Sequence, residues 1–391
     1  MKCLVTRFYF DYNATAPVSK EVLEVLIPAL RELHGNASSI HHFGQAAKQK
    51  LEGARRQVST MLHCDPREIV FVSGGTEADN LAILGSVRNG GAAGKHVITT
   101  AIEHPAVLGP CAQLEREGAA VTYIPAGGDG VVDPDDIKKA LRPETALISV
   151  MHANNEIGTI QPLQSIAAIA REAEVLFHAD GVQATGKIPV DVTALGVNLY
   201  SISGHKFHGP KGIGALYVKR GTKLSPILFG GHHERDRRPG TENVPGAVGL
   251  GRAADWVTVN IEDKRDRVSA LRDRLEQGIL DRVPDAGVNG AAHRIPNTTN
   301  IYFEGIEGEA MVISLDLKGF AVSSGAACSS GAVEPSHVLT AIGLTDSRAR
   351  SSVRFSLGRY NTRVQVDRLI DAVAESAEQL RKLSPVYTAS V

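Results

Sequence analysis

The chain has 391 residues, 43% of them hydrophobic and 22% charged, with a formal net charge of -1. That length exceeds one ordinary core and allows two domains around a sizeable buried site, and the balanced charge excludes the basic footprint of a nucleic-acid binder and the composition of a disordered chain. No stretch approaches the roughly 20 apolar residues of a membrane-spanning helix, and MKCLVTRFYF reaches Asp11 without the apolar run and cleavage site of a secretory signal.

In chain order, Tyr9-Phe10-Asp11 comes first and a helix-start signal follows at Pro17 and Ser19. From about Ile69 to Val218, short β-branched runs (IVFVS, HVITT, AVTYIP, ALISVMHA, EVLFHA, NLYSIS, GALYVK) alternate with amphipathic segments. Strands separated by helices predict a mainly parallel sheet covered on both faces, with ligands bound beyond the carboxyl ends of the strands. Beyond Trp256 the pattern changes to a charged helix, DKRDRVSALRDRLEQGIL, then a hairpin-like TTNIYFEGIEGE and further helix–strand alternation. The expected division is a large domain over 15–255 and a smaller one made of 1–14 and 256–391. Cys3, Cys64, Cys111 and Cys328 show neither CxxC spacing nor disulfide density, which predicts reduced thiols in a cytoplasmic protein and argues against metal binding.

Four segments carry residue types suited to one chemistry. In SGGTEADN a strand leads through Gly74, Gly75 and Thr76 into a helix, where backbone amides and a hydroxyl can cradle a phosphate. In TAIEHPAVL, His104 lies between a strand and Pro105, a helix-start residue, where an imidazole can stack on a ring and exchange protons. In HADGVQATGK, Asp180 ends an apolar run and can pair with a protonated pyridine nitrogen, with Gln183 placed to reach a ring hydroxyl. In SISGHKFHGPKGIGALYVK, Lys206 follows a strand ending near Ser203 in a glycine-rich turn, as an amine aimed at an aldehyde carbon requires. Each alone has a commonplace reading: an ordinary Gly-Gly turn, an unremarkable histidine, a helix-capping aspartate, a surface lysine. Their shared placement after strands of one inferred sheet is what joins them.

Together these segments resemble the fold-type I pyridoxal-phosphate enzymes, and within them the class V aminotransferase group that includes the NifS/IscS-type cysteine desulfurases. The resemblance runs in order through FDYNATAP, HGNASSIHHFG, SGGTEADN, TAIEHPAV, HANNEIGTIQP, HADGVQATGK, SGHKFHGPKGIGALY, RRPGTENV, SSGAACSSG and VRFSLGRYNT. It implies a large domain with a mainly parallel seven-stranded sheet flanked by helices, and a smaller α+β domain carrying the catalytic cysteine loop. It further implies that Lys206 bonds pyridoxal 5'-phosphate, that Asp180 meets the pyridine nitrogen and Gln183 the ring oxygen, and that His104 stacks. Gly75, Thr76, Ser203 and His205 would hold the phosphate, completed by Thr241 of a neighbouring subunit in a homodimer. Arg354 in VRFSLG would grip the substrate carboxylate with a bidentate fork, and Asn155 in HANNEIG would orient the same substrate.

Cys328 lies in VSSGAACSSGAVEPSHVL, a run of Ser, Gly and Ala that reads as a loop able to carry a thiol between cofactor and acceptor. The expected reaction takes the sulfur off L-cysteine as a persulfide on Cys328 and releases alanine, for an iron–sulfur scaffold or another sulfur acceptor. No metal is expected on the protein alone, although Cys328 could ligate a transient iron–sulfur cluster. The same cofactor site would serve a selenocysteine lyase or a class V aminotransferase, and a transaminase needs no mobile thiol. The cysteine loop resembles the first group of the family rather than the group with an RxGHHC signature. The tail ends at LSPVYTASV, shorter than in relatives that dock a scaffold through a longer segment.

Overall fold

The computed structural model describes residues 6–89, 91–290, 293–324 and 334–383. The described chain opens with β1 (Phe8–Tyr9), α1 (Lys20–Glu32) and α2 (His42–Leu62). Alternation follows through β2 (Ile69–Val72), α3 (Gly75–Val87), β3 (His96–Thr100), α4 (Pro105–Arg116), β4 (Ala120–Ile124), α5 (Pro134–Ala140) and β5 (Thr145–Ser149). It continues through α6 (Leu163–Glu172), β6 (Leu176–Asp180), α7 (Val192–Leu195), β7 (Leu199–Ser203) and β8 (Gly214–Val218). Next come α8 (Val244–Arg282), β9 (Ala286–Val288), β10 (Thr298–Phe303), α9 (Gly308–Leu317) and β11 (Phe320–Ala321). The last elements are α10 (His337–Ala341), α11 (Asp346–Arg350), β12 (Ser352–Ser356) and α12 (Arg363–Leu383).

Seven strands form the main sheet in the order β2-β8-β7-β6-β5-β3-β4. Only β8 runs antiparallel to its neighbours, so the sheet is mainly parallel, as the alternation predicts. Helices cover both faces, and β2, β3, β7 and β8 are therefore buried along their whole length, which is why they read as unbroken apolar runs rather than alternating ones. At the start of α1 the hydroxyl of Ser19 accepts the Val22 N–H, so the helix-start signal marks a real cap.

A large core gathers Leu51, Val58, Phe71, Phe177, Tyr200 and Leu250 around this sheet. A second core holds Phe10, Val268, Leu275, Phe303, Phe355 and Leu369 beneath the three-stranded antiparallel sheet β12-β10-β9. The N-terminal strand belongs with the second core, where Phe8 and Tyr9 pair in parallel with Phe320 and Ala321. No helix among the described residues is long and apolar enough to cross a membrane.

Two elements depart from the sequence-based expectation. Helix α8 has 39 residues and begins at Val244 instead of Asp263, so one helix of about 58 Å feeds both cores. Pro245, Gly246, Gly249 and Gly251 disguise its first turns as loop. Pro sits favourably in a first helical turn, and Gly251 lets α8 press on α2, where an added Cβ would lie 2.8 Å from the Ala54 Cα. The hairpin expected in TTNIYFEGIEGE is absent: β10 ends at Phe303 and pairs with β12 and β9 instead. From Gly308 the chain is helical, because Met311 and Leu315, four residues apart, both bury against the second core.

Candidate active site

The carboxyl ends of β2, β3, β5, β6 and β7 open onto a cavity of about 260 Å³. Gly75, Thr76, His104, Asn155, Asp180, Gln183, Ser203, His205 and Lys206 all line it, each delivered by the turn after a strand or by the strand's last residue. Larger grooves lie between α1, α2 and α8 and beside the start of β9, but none of these strand-end residues lines them.

At one end stands the N-terminus of α3. Gly75 begins that helix, and a Cβ there would meet Val182 Cγ2 at 2.8 Å, so only glycine allows this approach. The free amides of the first turn, the exposed Thr76 hydroxyl and Ser203 make an anion cradle. His205 joins it with Nδ1 3.1 Å from Thr15 Oγ1. Burial, reinforced by Lys206, pushes its imidazole down to about 4, so it is neutral and donates a single N–H.

At the opposite end Asp180 closes β6, buried, with Oδ1 accepting the Val182 N–H at 2.9 Å. Burial first, and the Asp79 carboxyl second, push its acid up to about 7. Asp79 also lines the cavity, and its Oδ1 is buried without a hydrogen bond among the described residues. Its nearest cation candidate, His178 at 3.5 Å, is held by Ser149 and Ser201 and pushed down by burial to about 4. Two buried carboxyls facing one cavity call for a cationic donor there. A protonated pyridine nitrogen supplies that, and the anion cradle at the far end suits a phosphate, so the residues present fit pyridoxal phosphate. His104 borders the same cavity as the N-cap of α4. Its Nδ1 accepts the Ala106 N–H at 3.1 Å, which leaves Nε2 to carry and exchange a proton.

Lys206 sits in the single 3₁₀ turn after β7 and donates to the carbonyls of Asn13 at 2.6 Å and Ala14 at 3.0 Å. Those two acceptors match the two N–H bonds of a neutral amine and leave its lone pair for an aldehyde carbon. Burial, and then the charge of Arg354, lower its amine to about 8. Asn13 is the hub of this wall. Its carbonyl also accepts Gln183 Nε2 at 3.0 Å, its Oδ1 accepts Lys187 Nζ at 2.9 Å, and its Nδ2 donates to the Asn155 carbonyl at 2.9 Å. Arg354 donates to that same Asn155 carbonyl at 3.1 Å and to Asp11 at 2.7 Å. Its Nε is buried and has no hydrogen bond among the described residues.

Among the described residues Arg354 and Thr241, both expected at the site, do not line the cavity. Thr241 is exposed on the segment before α8 and does not line this chain's cavity. Cys328 falls within 325–333, outside the described residues. The residues on either side of that segment are described, and both are hydrogen-bonded to neighbours of the wall residues Asn155 and His104. Ser323 exchanges backbone hydrogen bonds with Arg354 at 2.6 and 3.3 Å. On the other side Ser336 donates to Glu156 at 2.5 Å, and His337 Nε2 meets the carbonyl of Glu103, the residue before His104, at 2.9 Å.

Asn13, Asp79 and Lys187 were not among the residues expected from sequence. Asn13 and Lys187 lie inside quoted segments, FDYNATAP and HADGVQATGK, and Lys187 ends an otherwise uncharged stretch after Asp180. Nothing local signals that the two meet across 174 positions of chain.

The chain matches the family Aminotransferase class-V over residues 8–369. It is 47% identical over 378 residues to "Cysteine desulfurase IscS" of Dictyoglomus turgidum, covering 96% of each chain. It is 50% identical over 378 residues to "Cysteine desulfurase" of Trichormus azollae, covering 96% of this chain and 94% of that one. Among solved structures, a protein titled "NIFS-LIKE PROTEIN" superposes with a TM-score of 0.90 at 36% identity, covering 96% of this chain and 100% of the other.

Proposed function

The chain belongs to the class-V aminotransferase family, and we infer that it is a cysteine desulfurase, a pyridoxal-phosphate enzyme that converts L-cysteine to L-alanine and retains the sulfur. The sulfur acceptor within the chain is Cys328. One observation supports that assignment: the residues flanking the segment that bears Cys328 are tied next to the cavity wall, Ser323 to Arg354, which donates to Asn155, and Ser336 and His337 to Glu156 and Glu103, the neighbours of Asn155 and His104. Cys328 lies four residues beyond Ser324, a reach of up to about 14 Å at roughly 3.5 Å per residue.

Bound pyridoxal phosphate supplies an electrophilic aldehyde carbon and an electron-accepting ring. Lys206 would hold that carbon, and its Nζ is the base that would take the substrate's Cα proton. Asp180 holds the proton on the pyridine nitrogen, and Gln183 donates to the ring oxygen. His104, with Nδ1 spent on the Ala106 N–H, would face the ring and move protons through Nε2. Arg354 and Asn155 orient the substrate carboxylate. The Cys328 thiolate attacks the substrate Sγ: an S–S bond forms, the Cβ–Sγ bond breaks with its electron pair left on carbon, and that carbon takes a proton on the way to alanine.

Thr241 completes the phosphate site of a second copy in a homodimer. Exposed Ile40 (93%), Phe43 (54%) and Phe229 (90%) support this, being large apolar side chains more typical of an interface than of a free surface. The persulfide then passes to an iron–sulfur scaffold or another sulfur-accepting protein.

Intact-mass measurement after brief exposure of the holoenzyme to cysteine tests the assignment, with peptide mapping to locate the gain. The expected result is one added sulfur, on Cys328, together with alanine in solution. Cys328→Ala is expected to keep the yellow holoenzyme while losing alanine production by about 10³-fold or more. Full turnover in that variant, a keto acid product, or sulfur on another cysteine would refute it.

A further inference from the structure

Lys187 has no part in the chemistry above, yet it lies against the cavity wall with only 5% of its surface exposed. It follows β6 by seven positions and donates from Nζ to Asn13 Oδ1 and to Gln183 Oε1. Two acceptors match the two N–H bonds of a neutral amine, whereas an ammonium would leave a third buried donor unsatisfied. Its surroundings oppose charge as well. A small cavity behind Lys206 is lined by Lys187, Lys264, His208, Arg265, Tyr12 and Asn297, and nothing acidic faces it there. Burial, and then the charges of Lys206, Lys264 and Arg354, hold the Lys187 amine well below the usual lysine range.

Gln183 is pinned at both ends of its amide. Oε1 accepts from Lys187, while one N–H of Nε2 is spent on the Asn13 carbonyl, the same carbonyl that receives Lys206 Nζ. The second Nε2 N–H is left to face the cavity. We propose that Lys187 is a positioning residue: by donating to both Gln183 Oε1 and Asn13 Oδ1 it locks the Gln183 amide and the Asn13 side chain, so that a fixed N–H is offered to the cofactor's ring oxygen beside Lys206. The proposal rests on pyridoxal phosphate occupying this cavity with its ring oxygen toward Gln183.

The test is the pH dependence of the holoenzyme's visible absorption, which reports the proton shared between the Lys206 nitrogen and the ring oxygen. A donor to that oxygen stabilises its negative charge and lowers the midpoint, so losing the donor raises it. Lys187→Met is expected to raise the midpoint by about one pH unit, the size of one hydrogen bond to a charged group. Gln183→Leu should give a similar rise, and the double variant no further shift. Additive shifts would mean that Lys187 acts as a remote charge, and an unchanged midpoint in Lys187→Met would leave it a packing residue; either overturns the proposal. Lys187→Gln keeps an amide donor and is expected within about 0.3 units of the wild type, a fraction of that hydrogen bond. Should Lys187→Met not fold, a full-unit displacement in Lys187→Gln overturns the proposal and an undisplaced midpoint supports it. A wild-type protein with no visible band would instead defeat the cofactor assignment itself.

Discussion

At the floor of the cavity Asn13, Asp180, Gln183 and Lys187 are at most 7% exposed, and each is hydrogen-bonded within this chain. Around the rim, Thr76 and His104 are exposed. These four are set when the chain folds, because a polar group sealed from water has to find its partners within the protein; the neighbouring Asp79 Oδ1 is an exception. Rim groups can wait, since water satisfies them until cofactor, substrate or a second subunit arrives. Floor substitutions should therefore change the chemistry of a cofactor that still binds, while rim substitutions should change affinity.

Asp180→Ala tests that contrast most severely. It removes the carboxylate proposed to hold the pyridine nitrogen's proton and should lower turnover by about 10²- to 10³-fold, the usual cost of losing a preorganised electrostatic partner. Apoenzyme stability should not fall with it. In the apoenzyme the Asp180 acid is pushed up to about 7 by burial and by Asp79, so deleting it relieves a desolvation penalty. Thermal unfolding of the apo variant gives the check. A markedly lower unfolding temperature would make Asp180 a structural residue and erase the distinction drawn for the floor.

Lys206 gives the comparison a pH axis. Its amine titrates at about 8 in the folded chain against 10.5 for an ordinary lysine, because burial and Arg354 disfavour the charged form. Below about pH 8 both folded and unfolded chains carry the proton, and the folded chain bears the cost of burying it. That cost fades as pH rises from 8 towards 10.5, so this group's contribution to apoenzyme stability improves over that window. Capture of pyridoxal phosphate requires the free amine, and its rate, followed by absorbance after mixing with apoenzyme, should climb with a midpoint near 8. A midpoint near 10.5 would show that Lys206 is not desolvated in solution.

The same divide separates what the sequence revealed from what it concealed. Strand ends at Ser203 and Asp180, the Gly75 turn and the His104 cap are local events, each marked by a change in hydrophobic period or by a punctuating residue, and they lie where their segments imply. The hub at Asn13 is not local. It joins Lys206, 193 positions away, to Lys187 and to Asn155, and no window of sequence contains those partners. Asp79 was hidden for another reason: within α3 it reads as one more polar helix residue, and only the sheet beneath makes it a buried acid. The first turns of α8 were missed because glycines that serve close packing on α2 carry the same letters as loop glycines.

Thr241 should produce the smallest effect and the sharpest geometry. Thr241→Val removes one hydroxyl while keeping side-chain volume, and a single hydrogen bond to a phosphate predicts about a tenfold loss in pyridoxal-phosphate affinity with little change in saturated turnover. Because Thr241 is exposed and lies apart from its own chain's cavity, the loss should be cured in trans. In a heterodimer of Thr241→Val with Lys206→Ala, the site with an intact Lys206 faces a partner with an intact Thr241, and the other site is dead. One site per dimer should then regain wild-type affinity, read by cofactor titration of tagged heterodimers. If that surviving site keeps the tenfold weakness, Thr241 serves its own chain and the composite rim is wrong, whereas the floor argument stands untouched.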